Sequence, residues 1–323
     1  MQPIFFEPVL QEKIWGGNKL GIYFDLPIQS QKTGEAWMIS AHPNGITKVT
    51  SPQQYQGLGL DQVYQEAPEL FGNPSAPQFP LLTKLIDASE ALSVQVHPDD
   101  HYAQTHEGPN ELGKTECWYI VSAAPGAKIV YGHKALTRQE FEQMVAQDKW
   151  SDLLTEVPVK DGDFFYVPHG TLHAIGAGIV ILEIQQSSDT TYRVFDYHRK
   201  DAHGNERDLH LSQSADVTMF PHQDPQLSIS KTGDQDGQVW HYLSNDYFSV
   251  YKWDLKKTLT VDLDKPYYLA TVITGEGEMT VDGQVYPLKL ADSFILPAGI
   301  KQVTLAGDLE IMVANPESGV SHV

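Results

Sequence analysis

Four polar side chains at the ends of short strand-like segments have the chemistry of a metal site. They are Gln95, His97, Glu116 and His173. Side chains alternate between the two faces of a strand, so Ser93, Gln95 and His97 share one face. Two imidazoles, a carboxylate and an amide suit Zn²⁺ with at least one position open to water or substrate. The same donors also bind Co²⁺, Mn²⁺ or Fe²⁺, so the set predicts a metal site without selecting the metal.

Three charged residues near these donors could act on a bound molecule. Lys114 and Glu183 stand in or beside strand-like segments, and Arg193 follows in a polar turn. An arginine offers a planar fork that binds phosphate or carboxylate. The alternative for Arg193 is a salt bridge to Asp189 or Asp196.

Two further patterns resemble known sites but lack the structural context that those sites need. Residues 108–115 match the phosphate-loop pattern G-x-x-x-x-G-K-[ST]. A polar stretch precedes them and a strand-like segment follows, whereas a nucleotide loop needs a buried strand and then a helix. His97 and His101 have the spacing of a metalloprotease helix, but Pro98 follows His97 directly. We expect His97 at a strand end, His101 in a loop, and no nucleotide site.

Short segments rich in β-branched and aromatic residues, separated by Gly, Pro and Asp, predict a mainly β fold. Strands are expected at residues 81–88, 92–97, 116–121, 127–132, 163–168 and 178–186. Residues 58–71 and 137–154 predict helices, and Thr137 and Glu140 have capping-box spacing in the second. Residues 282–283 are Asp-Gly and predict a two-residue hairpin.

Residues 163–173 and 292–302 form an internal repeat. Asp, Pro and Gly keep the same spacing in both copies, which lie 129 residues apart without a gap. Two similar β units are the simplest account, and the alternative is chance similarity of two strand–Pro–Gly turns. The first copy ends on His173 and the second on Gln302. We therefore expect the metal in the first unit only, because an imidazole is a far better ligand than an amide.

The polar stretch 222–238 predicts the break between these two units. We place a metal-binding unit with helical segments at residues 1–235 and a degenerate second unit at residues 236–323. A chain of 323 residues has room for two domains.

The composition limits the partners of the protein. The chain has 22 basic and 42 acidic residues and a formal net charge of −20. Such a surface repels nucleic acids and anionic membranes at long range. The single cysteine, Cys117, rules out an internal disulfide framework and indicates a reducing compartment. No signal peptide or long apolar run is present, so we predict a cytoplasmic protein. The sequence carries no signal for an oligomeric state.

Several motifs together resemble the type I mannose-6-phosphate isomerases in their short bacterial form. The motifs occupy residues 15–17, 34–37, 79–99, 114–116, 170–174 and 188–193. This resemblance runs in order from about residue 10 to residue 200, which makes it more specific than any single motif. It implies a fold of two cupin-like (jelly-roll) β-barrels with a few short helices, and one zinc ion per chain.

The same resemblance implies roles for individual residues. The zinc ligands are expected to be Gln95, His97, Glu116 and His173. The catalytic residues are expected to be Arg193, Glu183 and Lys114, and the sugar phosphate is expected to contact Lys84, Ser93 and Arg193.

The implied reaction interconverts mannose 6-phosphate and fructose 6-phosphate through a cis-enediol. It needs a base near C1 and C2 and stabilisation of charge on O1 and O2. The base remains open between Glu183, a histidine and a hydroxide held by the metal. Two alternative functions are an isomerase of another sugar phosphate, such as glucose 6-phosphate, and a sugar-phosphate-binding cupin without turnover.

Overall fold

The computed structural model describes residues 1–200 and 203–317, which form three antiparallel sheets with short helices between them. The mainly β fold predicted from the sequence is confirmed. In the described residues no sheet closes into a ring of hydrogen bonds, so the barrel-like parts consist of facing sheets.

Two of these sheets contain the predicted site residues. The six-stranded sheet has the order Phe164–Val167, Glu116–Ala123, Ile179–Gln186, Leu81–Ala88, Thr33–Ile39 and Val9–Gly17. The five-stranded sheet has the order Tyr192–Phe195, Val94–Val96, His173–Ala174, Lys128–His133 and Leu154–Pro158. Each of the six strands predicted from the sequence overlaps a strand of one of these sheets.

The two sheets face each other across a shared core. Ile120 and Ile181 of the six-stranded sheet pack in one cluster with Ile129 and Tyr131 of the five-stranded sheet. The other face of the six-stranded sheet is also covered, which explains why every residue of Leu81–Ala88 is buried. Polar side chains that point between the sheets are therefore removed from water.

The third sheet contains the C-terminal strands together with two strands from the N-terminus. Its order is Ser230–Gly233, Gly237–Ser244, Phe248–Leu255, Gln302–Pro316, Tyr268–Val281, Ser293–Leu296, Ile4–Glu7 and Lys48–Ser51. Two more strands join it at its sides, Thr258–Asp262 beside Gln302–Pro316 and Gln284–Leu288 beside Tyr268–Val281. The pairing of Ile4 with Ile295 ties the start of the chain to its C-terminal part.

The internal repeat corresponds to two turns with the same hydrogen bonds. Asp163 Oδ2 accepts from the Lys160 amide at 3.0 Å, and Asp292 Oδ2 accepts from the Lys289 amide at 2.9 Å. A short strand follows each aspartate. The predicted hairpin at residues 282–283 is confirmed, with φ of 49° and 78° at its two positions.

The helices are short. They span Lys19–Phe24, Leu60–Glu66, Asp100–His106, Arg138–Ala146, Trp150–Leu153 and Leu211–Val217, with 3-10 turns at Gln53–Tyr55 and Pro68–Phe71. In the described part of the chain none of them is long and apolar enough to cross a membrane.

Each of the two predicted helices is interrupted. The stretch 58–71 breaks at Ala67, because Pro68 disfavours helical geometry in the residue before it. The stretch 137–154 breaks at Asp148, whose φ is 52°. The predicted cap is present, since the Thr137 side chain accepts from the Glu140 amide.

The expectation that His101 lies in a loop is wrong. The Asp99 side chain accepts from the Tyr102 amide at 2.7 Å and caps the helix Asp100–His106. Asp directly before a helical stretch is a strong N-cap residue, and this signal was present in the sequence.

Candidate functional site

The two facing sheets bring His97, Glu116 and His173 into one buried cluster. His97 directly follows the strand Val94–Val96, and the other two residues begin strands of opposite sheets. Glu116 Oε2 lies 3.5 Å from His97 Nε2, and Glu116 Oε1 lies 3.3 Å from His173 Nε2. The ligand atoms of all three residues lie within 4.8 Å of one another. This arrangement can hold a metal ion.

Hydrogen bonds on the far side of each imidazole orient both rings. His97 Nδ1 lies 2.9 Å from the Thr190 carbonyl oxygen, and His173 Nδ1 lies 2.9 Å from the Thr171 carbonyl oxygen. A carbonyl only accepts, so each Nδ1 carries the proton and each Nε2 presents a lone pair to the cluster. Such orientation of the distal nitrogen is typical of metal-binding histidines.

The chemistry of the cluster fits a cation. His97 Nε2 and Glu116 Oε2 are buried and have no hydrogen-bond partner among the described residues. Burial lowers the pKa of His97 well below its usual value and lowers that of His173 to about 4. Both imidazoles are therefore neutral at pH 7, as ligation requires. Lys114 offsets the charge of Glu116, but the unpartnered Nε2 of His97 is costly to bury unless something satisfies it.

Gln95 lies beside this cluster. It pairs in backbone register with His173, and its Nε2 lies 3.4 Å from His173 Nε2. Rotation of the amide by 180° exchanges Nε2 and Oε1 and directs an oxygen to the same place. The role of Gln95 as a fourth ligand remains a prediction.

Two buried lysine–glutamate pairs extend from the cluster. Lys114 Nζ lies 3.2 Å from Glu116 Oε2, and Lys84 Nζ lies 3.5 Å from Glu183 Oε2. Burial alone lowers the pKa of Lys114, but Glu116 and Glu183 outweigh it and the net shift is upward. Burial raises the pKa of Glu183, and Glu116 adds to that rise. Lys114 is thus a fixed cation, and Glu183 is a carboxylate that binds a proton more readily than usual.

Arg193 is not held in the salt bridge considered as the alternative. Asp196 instead binds other arginines, and Asp189 accepts from Asn44 Nδ2 at 2.9 Å. Arg193 Nη1 donates to the Asp208 carbonyl oxygen at 2.9 Å. Within residues 1–200 and 203–317 its Nε is buried without a hydrogen-bond partner and no carboxylate pairs with its guanidinium. The fork of Arg193 is therefore available to a ligand.

One cleft contains most of the predicted substrate side of the site. Its lining includes Lys84, Ser93, Gln95, Lys114, Glu183 and Arg193. It also includes four charged residues that were not predicted as site residues, namely Lys13, Glu35, Asp189 and Arg207. Glu35 accepts from the Trp37 indole at 2.8 Å and pairs with Lys13 at 3.3 Å.

The phosphate-loop pattern at residues 108–115 lies between the helix Asp100–His106 and the strand Glu116–Ala123. The element after it is a strand, as predicted. Its Gly113 amide donates to Asp100 Oδ1 at 2.7 Å, so a carboxylate occupies a position where a nucleotide loop presents its amides to phosphate.

Comparison with known proteins places this site in a defined family. The family model of the type I phosphomannose isomerase catalytic domain matches residues 4–119. The family model of the mannose-6-phosphate isomerase cupin domain matches residues 238–316. A mannose-6-phosphate isomerase of Streptococcus mutans serotype c is 49% identical, covering 97% of this chain and 98% of the relative. The mannose-6-phosphate isomerase ManA of Bacillus subtilis is 46% identical, covering 97% of this chain and 99% of the relative.

A solved structure gives the same result for the fold. The crystal structure of the mannose 6-phosphate isomerase from Bacillus subtilis superposes with a TM-score of 0.95 at 42% identity. The match covers 98% of this chain and 100% of that chain. The cupin-type architecture expected from the sequence is therefore confirmed.

Proposed function

This chain belongs to the type I mannose-6-phosphate isomerases, and we propose that it interconverts mannose 6-phosphate and fructose 6-phosphate with one zinc ion per chain. The observation that carries the proposal is the buried cluster of His97, Glu116 and His173. It stands next to a cleft that holds a proton-binding carboxylate and several cations. We assign this site to residues 1–235 and a structural role to residues 236–323.

The donor set favours zinc among the metals that it accepts. Two neutral imidazoles and a carboxylate, with Gln95 as a fourth donor, resemble zinc sites of enzymes more than the all-oxygen sites of Mg²⁺ or Ca²⁺. When bound, zinc supplies a Lewis acid that stabilises negative charge on an oxygen of the substrate.

Glu183 is the best candidate for the base that moves the proton between C1 and C2. The Nε2 lone pairs of His97 and His173 point into the metal cluster, and the Nδ1 of each ring donates to a backbone carbonyl oxygen. Glu183 Oε2 lies buried without a hydrogen-bond partner among the described residues, while Oε1 accepts from the Trp118 indole at 3.1 Å. A carboxylate with a raised pKa accepts the proton from one carbon and returns it to the other through the cis-enediol.

Cations around Glu183 bind and orient the substrate. Lys114 is held positive by its carboxylate neighbours and opposes negative charge on O1 and O2 of the enediol. Lys84 and Ser93 line the same cleft and contact the sugar. Arg193 binds the substrate with its free fork and supplies positive charge that the acidic surface lacks.

A coupled assay for fructose 6-phosphate tests the proposed reaction. Purified protein is supplied with mannose 6-phosphate, and glucose 6-phosphate is run in parallel. Turnover of mannose 6-phosphate with at least tenfold lower activity on glucose 6-phosphate supports the assignment. Preference for glucose 6-phosphate would move the function to another sugar phosphate, and binding without any product would leave a non-catalytic cupin.

A further inference from the structure

The basic residues of the cleft differ in how completely carboxylates neutralise them. Lys13, Lys84 and Lys114 each lie within 3.5 Å of a glutamate oxygen. Two of those glutamates, Glu35 and Glu183, line the cleft themselves. This end of the cleft therefore has nearly as much negative as positive charge, and it suits hydroxyl groups better than a phosphate dianion.

The other end of the cleft has an excess of positive charge. Arg193 and Arg207 both line it, and Arg193 has no carboxylate partner among the described residues. Burial lowers the pKa of Arg193 and Arg207 lowers it further, while Asp196 and Asp208 oppose this. Burial is the largest cause of this shift, and Arg207 is the charged group with the largest effect on the Arg193 guanidinium, which places the two arginines close together.

One carboxylate holds two arginines at this end. Asp196 accepts from Arg207 Nε at 2.8 Å and from Arg207 Nη2 at 2.6 Å. The same Asp196 accepts from Arg199 Nη2 at 2.6 Å, and Arg199 also reaches Glu90 at 3.6 Å. Asp196 is only 5% exposed and does not line the cleft, whereas Arg207 is 27% exposed and does. Asp196 thus positions Arg207, and because Arg199 and Arg207 share this one carboxylate, it offsets only part of their positive charge.

The backbone fixes Arg207 next to Arg193. The amide of His210 donates to the Arg193 carbonyl at 2.8 Å, and the Arg193 amide donates to His210 Nδ1 at 3.1 Å. The Arg193 side chain bonds the carbonyl of Asp208, the residue after Arg207. The two guanidinium groups are therefore held on one frame rather than meeting by chance.

We propose that Arg207, positioned by Asp196, binds the phosphate of the substrate together with Arg193. This proposal rests on the proposed function and adds to it a specificity residue that lies outside the motifs of the sequence analysis. A phosphate monoester is mainly a dianion above pH 6, and the fork of Arg193 together with the N–H groups of Arg207 that Asp196 leaves free suit its charge and its oxygen atoms. Arg207 therefore selects phosphorylated over neutral sugars.

The test compares Arg207→Gln with matched variants in steady-state assays on mannose 6-phosphate and on unphosphorylated mannose. Loss of one charged phosphate contact is expected to raise KM for mannose 6-phosphate by about 10- to 100-fold with kcat little changed. The Ki of inorganic phosphate as a competitive inhibitor should rise by a similar factor. Activity on mannose, however low, should not fall. Arg207→Lys should recover part of the loss, because it keeps the charge and loses the fork.

Arg138→Gln is the matched control, because it removes an arginine that is paired with carboxylates but lies outside the cleft. Arg138 bonds Glu142 at 2.7 Å and Asp216 at 2.6 Å on the surface, away from the cleft. This variant should leave both KM for mannose 6-phosphate and Ki for phosphate unchanged. Metal content, measured on every variant, should match that of the unaltered protein.

Asp196→Asn tests the positioning role. It should raise KM for mannose 6-phosphate as Arg207→Gln does, and the double variant should be no worse than either single variant, because Asp196 acts through Arg207. Additive losses in kcat would assign Asp196 a merely structural role.

Different results would refute the proposed function and the role of Arg207. An unaltered protein without activity on mannose 6-phosphate refutes the proposed function. An active protein whose Arg207→Gln variant keeps both KM for mannose 6-phosphate and Ki for phosphate refutes the role of Arg207 alone.

Discussion

Replacement of Glu183 by glutamine should separate proton transfer from every other property of the site. Glutamine has the same shape and retains an oxygen that accepts from the Trp118 indole, which now donates to Glu183 Oε1 at 3.1 Å. The three atoms of the metal cluster belong to other residues, so metal content should not change. Removal of the base should lower kcat by about 10²- to 10⁴-fold, which corresponds to about 3–5 kcal/mol of barrier.

The free energy of unfolding of this variant should change by less than its activation barrier does. Lys84 loses its partner at 3.5 Å but still lies 5.0 Å from the centroid of the Trp37 ring. Burial is the largest cause of the raised pKa of Glu183, and repulsion from Glu116 is the second. This repulsion disappears in the variant. We expect the free energy of unfolding to change by about 1–3 kcal/mol.

The assay is steady-state kinetics of metal-loaded protein between pH 5 and pH 8. Because the pKa of Glu183 is raised, kcat/KM of the unaltered protein should fall as the pH drops through that pKa. The residual activity of Glu183→Gln should lack this acid limb. Glu35→Gln is the matched control, since Glu35 also accepts from an indole and pairs with a lysine. Its kcat should remain within about tenfold. A Glu183→Gln variant with kcat within tenfold and an unchanged acid limb would refute Glu183 as the base.

Three further predictions follow from the same geometry. His173→Ala should lose bound metal and activity together, while the exposed His101→Ala should lose neither; metal analysis that finds His173→Ala fully loaded and active would remove His173 from the site. Arg193→Ala should keep its metal and lose at least about 100-fold in kcat/KM, and a loss below tenfold would leave its fork without a role. Metal-free protein should lose stability as the pH falls from about 6.5 to about 4. The unfolded chain takes up a proton on His173 in this range and the folded chain does not, which costs about 1 kcal/mol per pH unit. Urea titrations at several pH values test this, with His173→Gln expected to have a shallower slope and an unaltered slope counting against the reasoning.

The sequence was sufficient where local pattern decides structure. Alternation along one strand put Gln95 and His97 on the face that now meets Glu116 and His173. The strand Leu81–Ala88 has the bounds that were predicted, because both of its faces are covered and its apolar run is continuous. The hairpin at residues 282–283 follows from the φ preferences of Asp and Gly alone.

Where distant segments meet, local pattern was not sufficient. Glu35 belongs to the motif at residues 34–37, but nothing in that segment indicates that its strand Thr33–Ile39 reaches the cleft. Arg207 lies outside all of the motifs. The pairing of Ile4 with Ile295 is likewise set by tertiary packing. The break at Ala67, by contrast, has a local signal in the sequence, because Pro68 disfavours helical geometry in the residue before it.

The central claim is that a metal held by His97, Glu116 and His173 is required for the isomerase reaction. The most direct measurement follows isomerisation of mannose 6-phosphate while zinc is titrated into chelator-treated protein, with bound metal determined at each point. The account predicts negligible activity without metal and a linear rise that ends at one zinc ion per chain. Full activity in metal-free protein, or a chain that binds one zinc ion without gaining activity, would contradict it.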